Sequence, residues 1–498
     1  MEIGFWTTVY SLMAPDLLLL IFLGTVVGLI VGIIPGLGSI QGIVLLLPLT
    51  FTMTPSSALI MLTSVYCASV FGGSIPAILF RMPGTESAVM TTLDGYKLAL
   101  RGQAGKALGT AMMCSAIGGI FSTLILQFLA PSLASFALRF GAAEYFALGL
   151  MGVSCVSSIG TKSQTKAVMS MTLGLLIATV GIDQISGALR FTFDTEVLQT
   201  GVAFTPAIIG LFAVSELMNQ VLQRKDSQEG TLIKKVTVAF LTVKELFAMR
   251  WVIFRAAISG TWIGILPGVG ASTAAVIAYN QEVRLSKKPE EWGTGILEGV
   301  AAPETANNAS VGGAMVPLLG LGIPGSSTAA VLIGAFLIHG LRPGPMLFST
   351  NLDVVYAIIG SMYISNVLMV GLALLMIPLV IRILQVPYPY LASSVYIICV
   401  SGAIVLGGFS NVWIMLIFGL LGFFLSRFGF PLSPLIIAII LGPMMETNLR
   451  RGIHMYDNGI WDFFMQPIAL VLILASVLSF CYPMISSYLA KRQAKQGD

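Results

Sequence analysis

Long apolar runs recur along the whole chain, for example LLLLIFLGTVVGLIVGII at residues 17–34 and AIIGSMYISNVLMVGLALLMIPLVI at residues 357–381. An α-helix needs roughly 20 apolar residues to cross a bilayer. Charged residues make up 10% of the chain and hydrophobic residues 56%, whereas soluble domains carry about 25% charged residues. So few charges cannot cover a water-facing surface. The sequence therefore predicts an all-α polytopic membrane protein, with about 12 membrane segments of this length class.

Several other classes of protein are not expected. The first apolar run is too long for a signal peptide, and the preceding MEIGFWTTVYSLMAPD has acidic but no basic side chains. The segment GLGSIQG at residues 36–42 lacks the Lys-Ser/Thr of a phosphate-binding loop. The net charge of +4 gives no indication of nucleic-acid binding. We expect no catalytic site and no cofactor.

Cysteine and histidine spacing argues against a metal centre. His339 and His454 are isolated, and the cysteines show no C-x-x-C spacing, so the sequence predicts neither a disulfide framework nor a zinc site. Burial as small apolar side chains is the simpler interpretation of these cysteines. They are Cys67, Cys114, Cys155, Cys399 and Cys481.

Basic residues concentrate in the middle of the chain and at its end. Seven lysines and arginines lie between residues 222 and 256, and the tail reads KRQAKQGD. The positive-inside rule places both segments in the cytoplasm. We divide the chain into a first transmembrane repeat (1–222), a basic cytoplasmic linker (223–249), a second transmembrane repeat (250–485) and a basic C-terminal tail (486–498).

The division into repeats rests on internal similarity. GIIPGLG at residues 32–38 returns as GILPGVG at residues 264–270, an offset of 232. Further on, an offset of 241 aligns ASVFGGSIPAILFRMPG (68–84) with ASVGGAMVPLLGLGIPG (309–325). The second half thus has nine extra residues, which we place in the charged stretch 280–292. Two homologous halves follow.

Paired Pro-Gly breaks within apolar runs indicate broken helices or re-entrant hairpins. Lipid cannot hydrogen-bond a free backbone group, so irregular backbone at membrane depth lines a polar cavity or is buried in protein. Duplicated halves with breaks at matching positions are typical of secondary transporters. A helix that begins at a break offers partial positive charge to a carboxylate, and freed carbonyls suit Na⁺. The alternative is that the breaks only kink helices for packing.

Small polar residues accompany each break and are our candidates for substrate binding. N-terminal capping of the helices is the alternative role for their hydroxyl groups. The candidates are Pro35, Gly36, Gly38, Ser39, Pro83, Gly84, Thr85, Ser87, Pro267, Gly268, Gly270, Ser272, Thr273, Asn307, Asn308, Pro324, Gly325, Ser326, Ser327 and Thr328.

The segment PETANNAS (303–310) has no matching counterpart in the first half, where LTSVYCAS (62–69) aligns with it, so Glu304, Asn307 and Asn308 belong to the second half only. An ionisable residue between apolar runs is a functional candidate by default. Glu304, Asn307 and Asn308 are our ion-coupling candidates, either as oxygen ligands for Na⁺ or with Glu304 as a proton carrier. A structural Glu–Asn network between helices is the alternative. Asp183 is a weaker candidate, since it can equally mark a helix end.

Topology leaves a conflict open. We expect inverted repeats, because breaks that point inward from opposite sides can meet at a midplane site. Inverted repeats need an odd number of crossings in each half, whereas a cytoplasmic linker and a cytoplasmic tail require an even number in the second half. Either the tail is not cytoplasmic, or a hairpin is counted as a span, or the repeats are parallel.

The repeated GxxPGxG motif, PETANN, the IPGSSTAA run and the overall length together resemble TctA, the large membrane subunit of the tripartite tricarboxylate transporter family. The first half departs only in reading RMPGTESA where the second reads GIPGSSTA. The resemblance implies a permease of the bacterial inner membrane that imports a carboxylate such as citrate by Na⁺ or H⁺ symport. It also implies a small membrane subunit (TctB-like) and a periplasmic solute-binding protein (TctC-like). An elevator mechanism follows by analogy with other binding-protein-dependent secondary transporters. A gradient-independent anion channel or a stand-alone carboxylate permease is the alternative.

Overall fold

The computed structural model describes residues 4–34, 37–158, 163–183, 185–223, 238–384, 388–456 and 460–494. The described chain is helical almost throughout, with one short antiparallel hairpin of strands β1 (Gly181–Ile182) and β2 (Leu189–Arg190). Pro35, Gly36 and linker residues 224–237 lie outside the described residues, so our expectations for them stay predictions.

The helices before the linker are α1 Phe5–Ser11, α2 Pro15–Ile33, α3 Ser39–Thr50, α4 Pro55–Gly72, α5 Ser74–Phe80, α6 Thr91–Leu98, α7 Ala104–Ala137, α8 Ala142–Ser158, α9 Gln164–Ala178, α10 Glu196–Gln199, α11 Phe204–Ile208 and α12 Ser215–Gln223. The helices after it are α13 Val243–Ala248, α14 Arg250–Ile265, α15 Gly270–Leu285, α16 Glu298–Leu321, α17 Ser327–Ile338, α18 Pro345–Thr350, α19 Leu352–Leu384, α20 Tyr388–Arg427, α21 Leu432–Met455, α22 Ile460–Phe464 and α23 Pro467–Ala494. Short turns of 3-10 helix (Glu86–Ala88, Pro289–Glu291) and π-helix (Ala99–Gln103, Ile209–Val214) connect some of them.

Membrane-length helices confirm the fold class. Within the described residues, seven helical segments are long and apolar enough to span a membrane, and five further apolar helices are shorter. The shorter helices include α3 and α17, each of which follows one of the Pro-Gly breaks. The protein is an all-α polytopic membrane protein.

Glycines at the breaks end helices where the sequence predicts. Helix α14 ends at Ile265, and α15 begins at Gly270. Gly268 and Gly270 between them have φ of +74° and +72°, a left-handed conformation that glycine adopts without steric cost. An ion pair between Arg255 and Glu282, at 2.5 Å, joins the far ends of the two helices. The segment 250–285 is therefore a helical hairpin.

In each half, the helix that ends at the first Pro-Gly break (α2 or α14) packs tightly against the next long helix (α4 or α16). A Cβ on Gly28 of α2 would lie 2.7 Å from the carbonyl oxygen of Val65 in α4. In the second half, a Cβ on Gly264 of α14 would overlap the carbonyl oxygen of Ser310 in α16. Small residues allow such close backbone approach between membrane helices.

The equivalent helices α4–α5 and α16 run antiparallel to each other. Ser74, at the start of α5, hydrogen-bonds Glu304 near the start of α16, whereas Cys67, seven residues earlier, lines a gap together with Asn308, four residues later. A later residue of α4–α5 thus lies beside an earlier residue of α16, so the two helices run in opposite directions. Helix α16 begins near the end of α4–α5. Inverted repeats would produce this crossing, and the inverted repeat stays a prediction.

The two halves interlock. Helix α7 of the first half packs on α16 of the second, and α19 of the second half packs on α4 of the first. The same exchange occurs at the periphery, where α21 packs on α8 and α9, and α11–α12 packs on α20. Neither half forms its packing surfaces alone.

Helix α23 offers a solution to the conflict over topology. If α2–α3 is a hairpin like α14–α15, five passages remain in the first half (α4–α5, α7, α8, α9, α11–α12) and five in the second (α16, α19, the two parts of α20 on either side of Gly407 and Gly408, and α21). Helix α23 is a sixth passage after the linker and has no partner before it. An inverted repeat and a cytoplasmic tail are therefore compatible.

The linker is tied to the start of α7. The amide N–H of Ala239 donates to the carbonyl of Gly105 at 3.0 Å, and Lys106 forms an ion pair with Glu245. Lys106 and the capping contacts of Thr242 lower the pKa of Glu245 to about 2, so this ion pair stays charged at physiological pH.

Replacing Gly264 by leucine will destabilise the fold, because its side chain would be forced against the backbone of α16. We expect a cost of about 3 kcal/mol or more, at the upper end for overpacked cores. Thermal unfolding of the purified protein measures it. Gly371→Leu is the matched control, since a Cβ there meets no atom within 4 Å. Equal melting temperatures for the two variants would contradict the close packing.

Single-cysteine variants test the topology, after replacement of the five native cysteines. Lys288 follows α15 and lies on the linker side, whereas Phe193 precedes α11 and is one passage away from the linker. Phe193→Cys should react with a membrane-impermeant maleimide in intact cells, and Lys288→Cys only after permeabilisation. Trp461→Cys, 70% exposed in α22, should behave like Phe193→Cys. Labelling of Lys288→Cys and Phe193→Cys from the same side would overturn the passage count.

Candidate functional site

The two breaks of the first half meet. The N–H of Gly84 donates to the carbonyl of Gly73 at 3.0 Å, and a Cβ on Gly84 would overlap the carbonyl oxygen of Gly32 at the end of α2. A Cβ on Gly38, which precedes α3, would lie 3.7 Å from the Thr85 methyl group. The first-half candidates therefore form one cluster, which we call the first break group: Gly38, Ser39, Pro83, Gly84, Thr85 and Ser87.

The second half repeats this arrangement. A Cβ on Gly325 would lie 2.5 Å from the carbonyl oxygen of Gly264 at the end of α14, and a Cβ on Gly270 would lie 3.9 Å from the side chain of Ser326. These positions correspond to Gly84, Gly32, Gly38 and Thr85 through the two sequence offsets. The tertiary structure thus contains the same break pair twice.

Three of the four breaks are followed directly by an α-helix, as the sequence predicts. Helix α3 begins at Ser39, α15 at Gly270, and α17 at Ser327, after Ser326, whose Oγ caps the helix by accepting from the N–H of Ala329 at 3.1 Å. The break at Pro83–Gly84 leads instead into the 3-10 turn Glu86–Ala88. Helix starts at α3, α15 and α17 direct partial positive charge toward the breaks.

In each half, the long helix that follows the first break (α4 or α16) contacts a residue next to the second break of the other half. The Tyr66 hydroxyl in α4 hydrogen-bonds Ser326 Oγ at 2.8 Å. In return, Asn307 Nδ2 in α16 donates to the carbonyl of Ser87 at 3.5 Å. Tyr66 and Asn307 occupy equivalent positions at the 241 offset. Tyr66 is not among the residues predicted from the sequence, although the alignment of LTSVYCAS with PETANNAS pairs it with Asn307.

Glu304 lies at the crossing of the halves, fully buried. Its carboxylate accepts hydrogen bonds from Ser74 Oγ at 2.5 Å, from Thr91 Oγ1, and from Ser115 Oγ at 3.0 Å. These hydroxyls come from α5, α6 and α7 of the first half. These donors are neutral, so the carboxyl group is held in place without a basic partner among these contacts.

The remaining candidates lie on the edges of the two groups. Ser39 Oγ accepts from Ser69 Oγ at 2.7 Å, and Ser327 Oγ contacts Ser433 Oγ at 2.6 Å. Ser272 and Thr273 are half-buried on α15, the helix that packs on the 3-10 turn after the Pro83 break. Pro267, Pro324 and Thr328 are buried, and Pro83 is half-buried.

Asp183 is not part of this arrangement. It lies in the β1–β2 hairpin, where it accepts from Ser186 Oγ at 2.5 Å and from Arg450 at 2.6 Å. These donors lower the pKa of its carboxyl group. Arg190 of the same hairpin binds Glu446 of α21. Asp183 therefore fastens an extramembrane hairpin to α21.

Asp94 is a second buried carboxylate, which the sequence analysis did not single out. Its oxygens accept from the N–H groups of Gly293, Gly295 and Ile296 at 3.0, 2.7 and 3.1 Å, and from the Tyr279 hydroxyl at 2.7 Å. It thereby joins α6, behind the second break of the first half, to the loop behind α15. The charged stretch 280–292, where we place the extra residues, leads into this loop.

Comparison with known proteins gives one family and two relatives. The family model described as "Tripartite tricarboxylate transporter TctA family" matches residues 18–437. The chain is 38% identical over 472 residues to an uncharacterised 52.8 kDa protein in the TAR-I ttuC' 3' region of Agrobacterium vitis, which covers 95% of this chain and 94% of the relative. It is 36% identical over 234 residues to an uncharacterised protein in the TAR-II ttuC' 3' region of the same organism, covering 47% of this chain and 97% of that relative. No solved structure matches.

Proposed function

Because the chain belongs to the tripartite tricarboxylate transporter TctA family, we propose that it is the large membrane subunit of a binding-protein-dependent secondary transporter. It imports tricarboxylates or related carboxylate anions by Na⁺ or H⁺ symport across the bacterial inner membrane. A small membrane subunit (TctB-like) and a periplasmic solute-binding protein (TctC-like) complete the system.

The observation that carries this proposal is the pair of break groups, linked across the halves by Tyr66 and Asn307. Both groups combine helix starts with small hydroxyl and backbone donors. Such donors bind a carboxylate without a permanent basic partner, so the anion can be released again. The residues proposed to contact substrate are the candidates named from the sequence: Pro35, Gly36, Gly38, Ser39, Pro83, Gly84, Thr85, Ser87, Pro267, Gly268, Gly270, Ser272, Thr273, Asn307, Asn308, Pro324, Gly325, Ser326, Ser327 and Thr328.

Glu304 is the proposed coupling residue, with Asn307 and Asn308 beside it. A buried carboxylate held only by neutral donors in its described side-chain contacts is costly to keep charged. Binding of Na⁺ close by, or of a proton on the carboxylate itself, offsets that cost. Coupling follows when the anion and the cation each favour the same conformation of the crossing helices.

An elevator movement is the proposed mechanism of alternating access. The break groups, α4–α5, α7, α16 and α19 form the closely packed part of the molecule, which supports movement as one body. Helices α8, α9, α11–α12, α20 and α21 pack on one another at the periphery and would act as the scaffold.

Uptake of radiolabelled citrate into vesicles that contain the chain and its small subunit tests the function. We expect uptake only when both the binding protein and an imposed Na⁺ or pH gradient are present. Uptake without the binding protein would favour a stand-alone permease. Uptake without a gradient would favour an anion channel. If citrate is not transported, the same assay with a panel of dicarboxylates decides between a different substrate and a wrong function.

Glu304→Gln tests the coupling role. The amide keeps the size, and its oxygen can still accept from Ser74 and Thr91, but its NH2 group cannot accept from Ser115 and the charge is lost, so we expect transport with an altered Na⁺ or pH dependence. The initial uptake rate measured across a matrix of Na⁺ concentrations and pH values shows this. Ser365→Ala, a buried hydroxyl on α19, is the control. Unchanged cation dependence in Glu304→Gln would remove this residue from coupling.

A further inference from the structure

Helix α15 lies between two pairs of glycines with left-handed backbone conformations. Gly268 and Gly270 are at its start, with φ of +74° and +72°, and Gly293 and Gly295 follow its end, with φ of +75° and +109°. Glycine enters and leaves such conformations with less steric restriction than any other residue. Both ends of α15 therefore have the backbone freedom that hinges of moving elements need.

The apolar packing of α15 is weak. The aliphatic side chains that it buries are those of Ala274, Ala275 and Ala278, whereas the equivalent helix of the first half, α3, buries larger ones such as Ile43 and Leu47. Small side chains bury little apolar area, so separating them from their neighbours costs little free energy. Helix α15 is thus held less firmly by apolar contacts than α3 is.

The other arm of the hairpin, α14, is fixed by close backbone contacts. Cβ atoms on Gly260 and Gly264 would overlap the carbonyl oxygens of Ala306 and Ser310 in α16. The single glycine of α15, Gly270, would place a Cβ 3.9 Å from the side chain of Ser326, which is an ordinary contact. Helices α14 and α16 therefore form a base against which α15 can move.

Two side chains of α15 fasten it to other elements in the part of the chain that the structure describes. Glu282 forms its ion pair with Arg255 of α14. The Tyr279 hydroxyl donates to Asp94 Oδ2 of α6 at 2.7 Å, and its ring packs edge-to-face on Trp292 with the centroids 5.1 Å apart. Both fasteners lie in the half of α15 that is farther from the break, and the one made by Tyr279 joins this helix to the first half of the chain.

Asp94 is a rigid anchor for the Tyr279 hydroxyl. Its side chain is fully buried, and backbone N–H groups of the loop 293–296 bind both of its oxygens. A Cβ on Gly299 would overlap the carboxylate, so this glycine leaves room for it. Concavities formed by backbone N–H groups bind anions well. The carboxylate is therefore held in place whether or not Tyr279 donates to it.

We propose that α15 is a gate on the linker side of the breaks, and that Tyr279 and Asp94 form its latch. Helix α15 packs on the 3-10 turn Glu86–Ala88 beside the first break group, and it begins beside Ser326 at the second break of its own half. Its displacement therefore opens the breaks of both halves. Release of Tyr279 from Asp94 lets α15 pivot at its glycines, and renewed bonding closes it.

Tyr279 and Asp94 are positioning residues in this proposal. They act through Ser272 and Thr273, the proposed substrate contacts on α15, by holding that helix against the breaks. The meaning of the movement as a gate for substrate rests on the proposed function, whereas the movement itself does not.

Accessibility of a buried position on α15 tests the gate without any transport. After replacement of the five native cysteines, Ala274→Cys reports on the buried face, because Ala274 is 0% exposed. A membrane-impermeant maleimide is added to vesicles that expose the linker side. We expect slow labelling, which Tyr279→Phe accelerates roughly tenfold because it removes only the hydroxyl that bonds Asp94, a hydrogen bond to a charged acceptor.

Tyr363→Phe is the matched control. The Tyr363 hydroxyl donates to Gln127 Oε1 at 2.9 Å, between α19 and α7, so its loss should leave the labelling of Ala274→Cys unchanged. Hydrogen-exchange mass spectrometry of the chain with its native cysteines is a second measurement, which does not depend on the folding of the cysteine variant. Tyr279→Phe should accelerate amide exchange in residues 270–285 and leave residues 250–265 as in the wild type.

Four results would overturn the proposal. They are an unchanged labelling rate in Tyr279→Phe, an equal acceleration by Tyr363→Phe, an acceleration seen only from the side opposite the linker, and exchange that rises as much in α14 as in α15. Failure of citrate uptake together with the expected labelling and exchange would instead contradict the proposed function and leave the movement of α15 intact.

Discussion

The need to satisfy backbone hydrogen bonds away from water governs this structure. Pro-Gly breaks free carbonyl and N–H groups in apolar runs, and lipid offers them no partner. The protein buries the breaks against each other instead. Glycines make this possible, because Gly84 and Gly325 each approach the carbonyl oxygen of a glycine in the neighbouring helix, Gly32 or Gly264. Each break is therefore stabilised by the other break of its own half.

Duplication supplied two similar frameworks, and the chemistry has diverged between them. Both halves have the same break pair and the same glycine contacts. Only the second half carries a carboxylate at the crossing, where Glu304 stands opposite the hydroxyl donors Ser74, Thr91 and Ser115 of the first. One half thus contributes the charge and the other contributes the donors that hold it.

Contacts between the halves connect the proposed substrate site and the proposed coupling residues. Asn307 bonds the Ser87 carbonyl in the first break group and, through its Oδ1, Asn308. The arrangement joins the proposed substrate site to the proposed coupling residues through two adjacent side chains. Asp94 adds a connection on the linker side, between α6 and the loop after α15. Movement of one break group relative to the other half must change these contacts.

Much of the fold could be predicted from local properties of the sequence. Apolar run length determined the membrane class, because a helix of about 20 residues matches the bilayer, and Pro and Gly determined where helices α14 and α16 end. The two offsets identified the halves and placed Glu304 and Asn308 among the candidates. The 3-10 turn after Gly84 was not foreseen, because the RMPGTESA sequence contains a break and polar residues much like its counterpart.

Partners across the molecule could not be read from the sequence. Tyr66 bonds Ser326, 260 residues away, and the side chain of Asn366 lies against Gly119, since the crossing of α7 and α19 brings them together. The sequence by itself determined which segments are apolar enough to cross a membrane, where they break and that the GxxPGxG motif recurs, because these depend on hydrophobicity and backbone geometry within a few residues. Only the tertiary structure decided which half completes which site and that α23 is unpaired. Those features depend on long-range packing, and no local pattern encodes it.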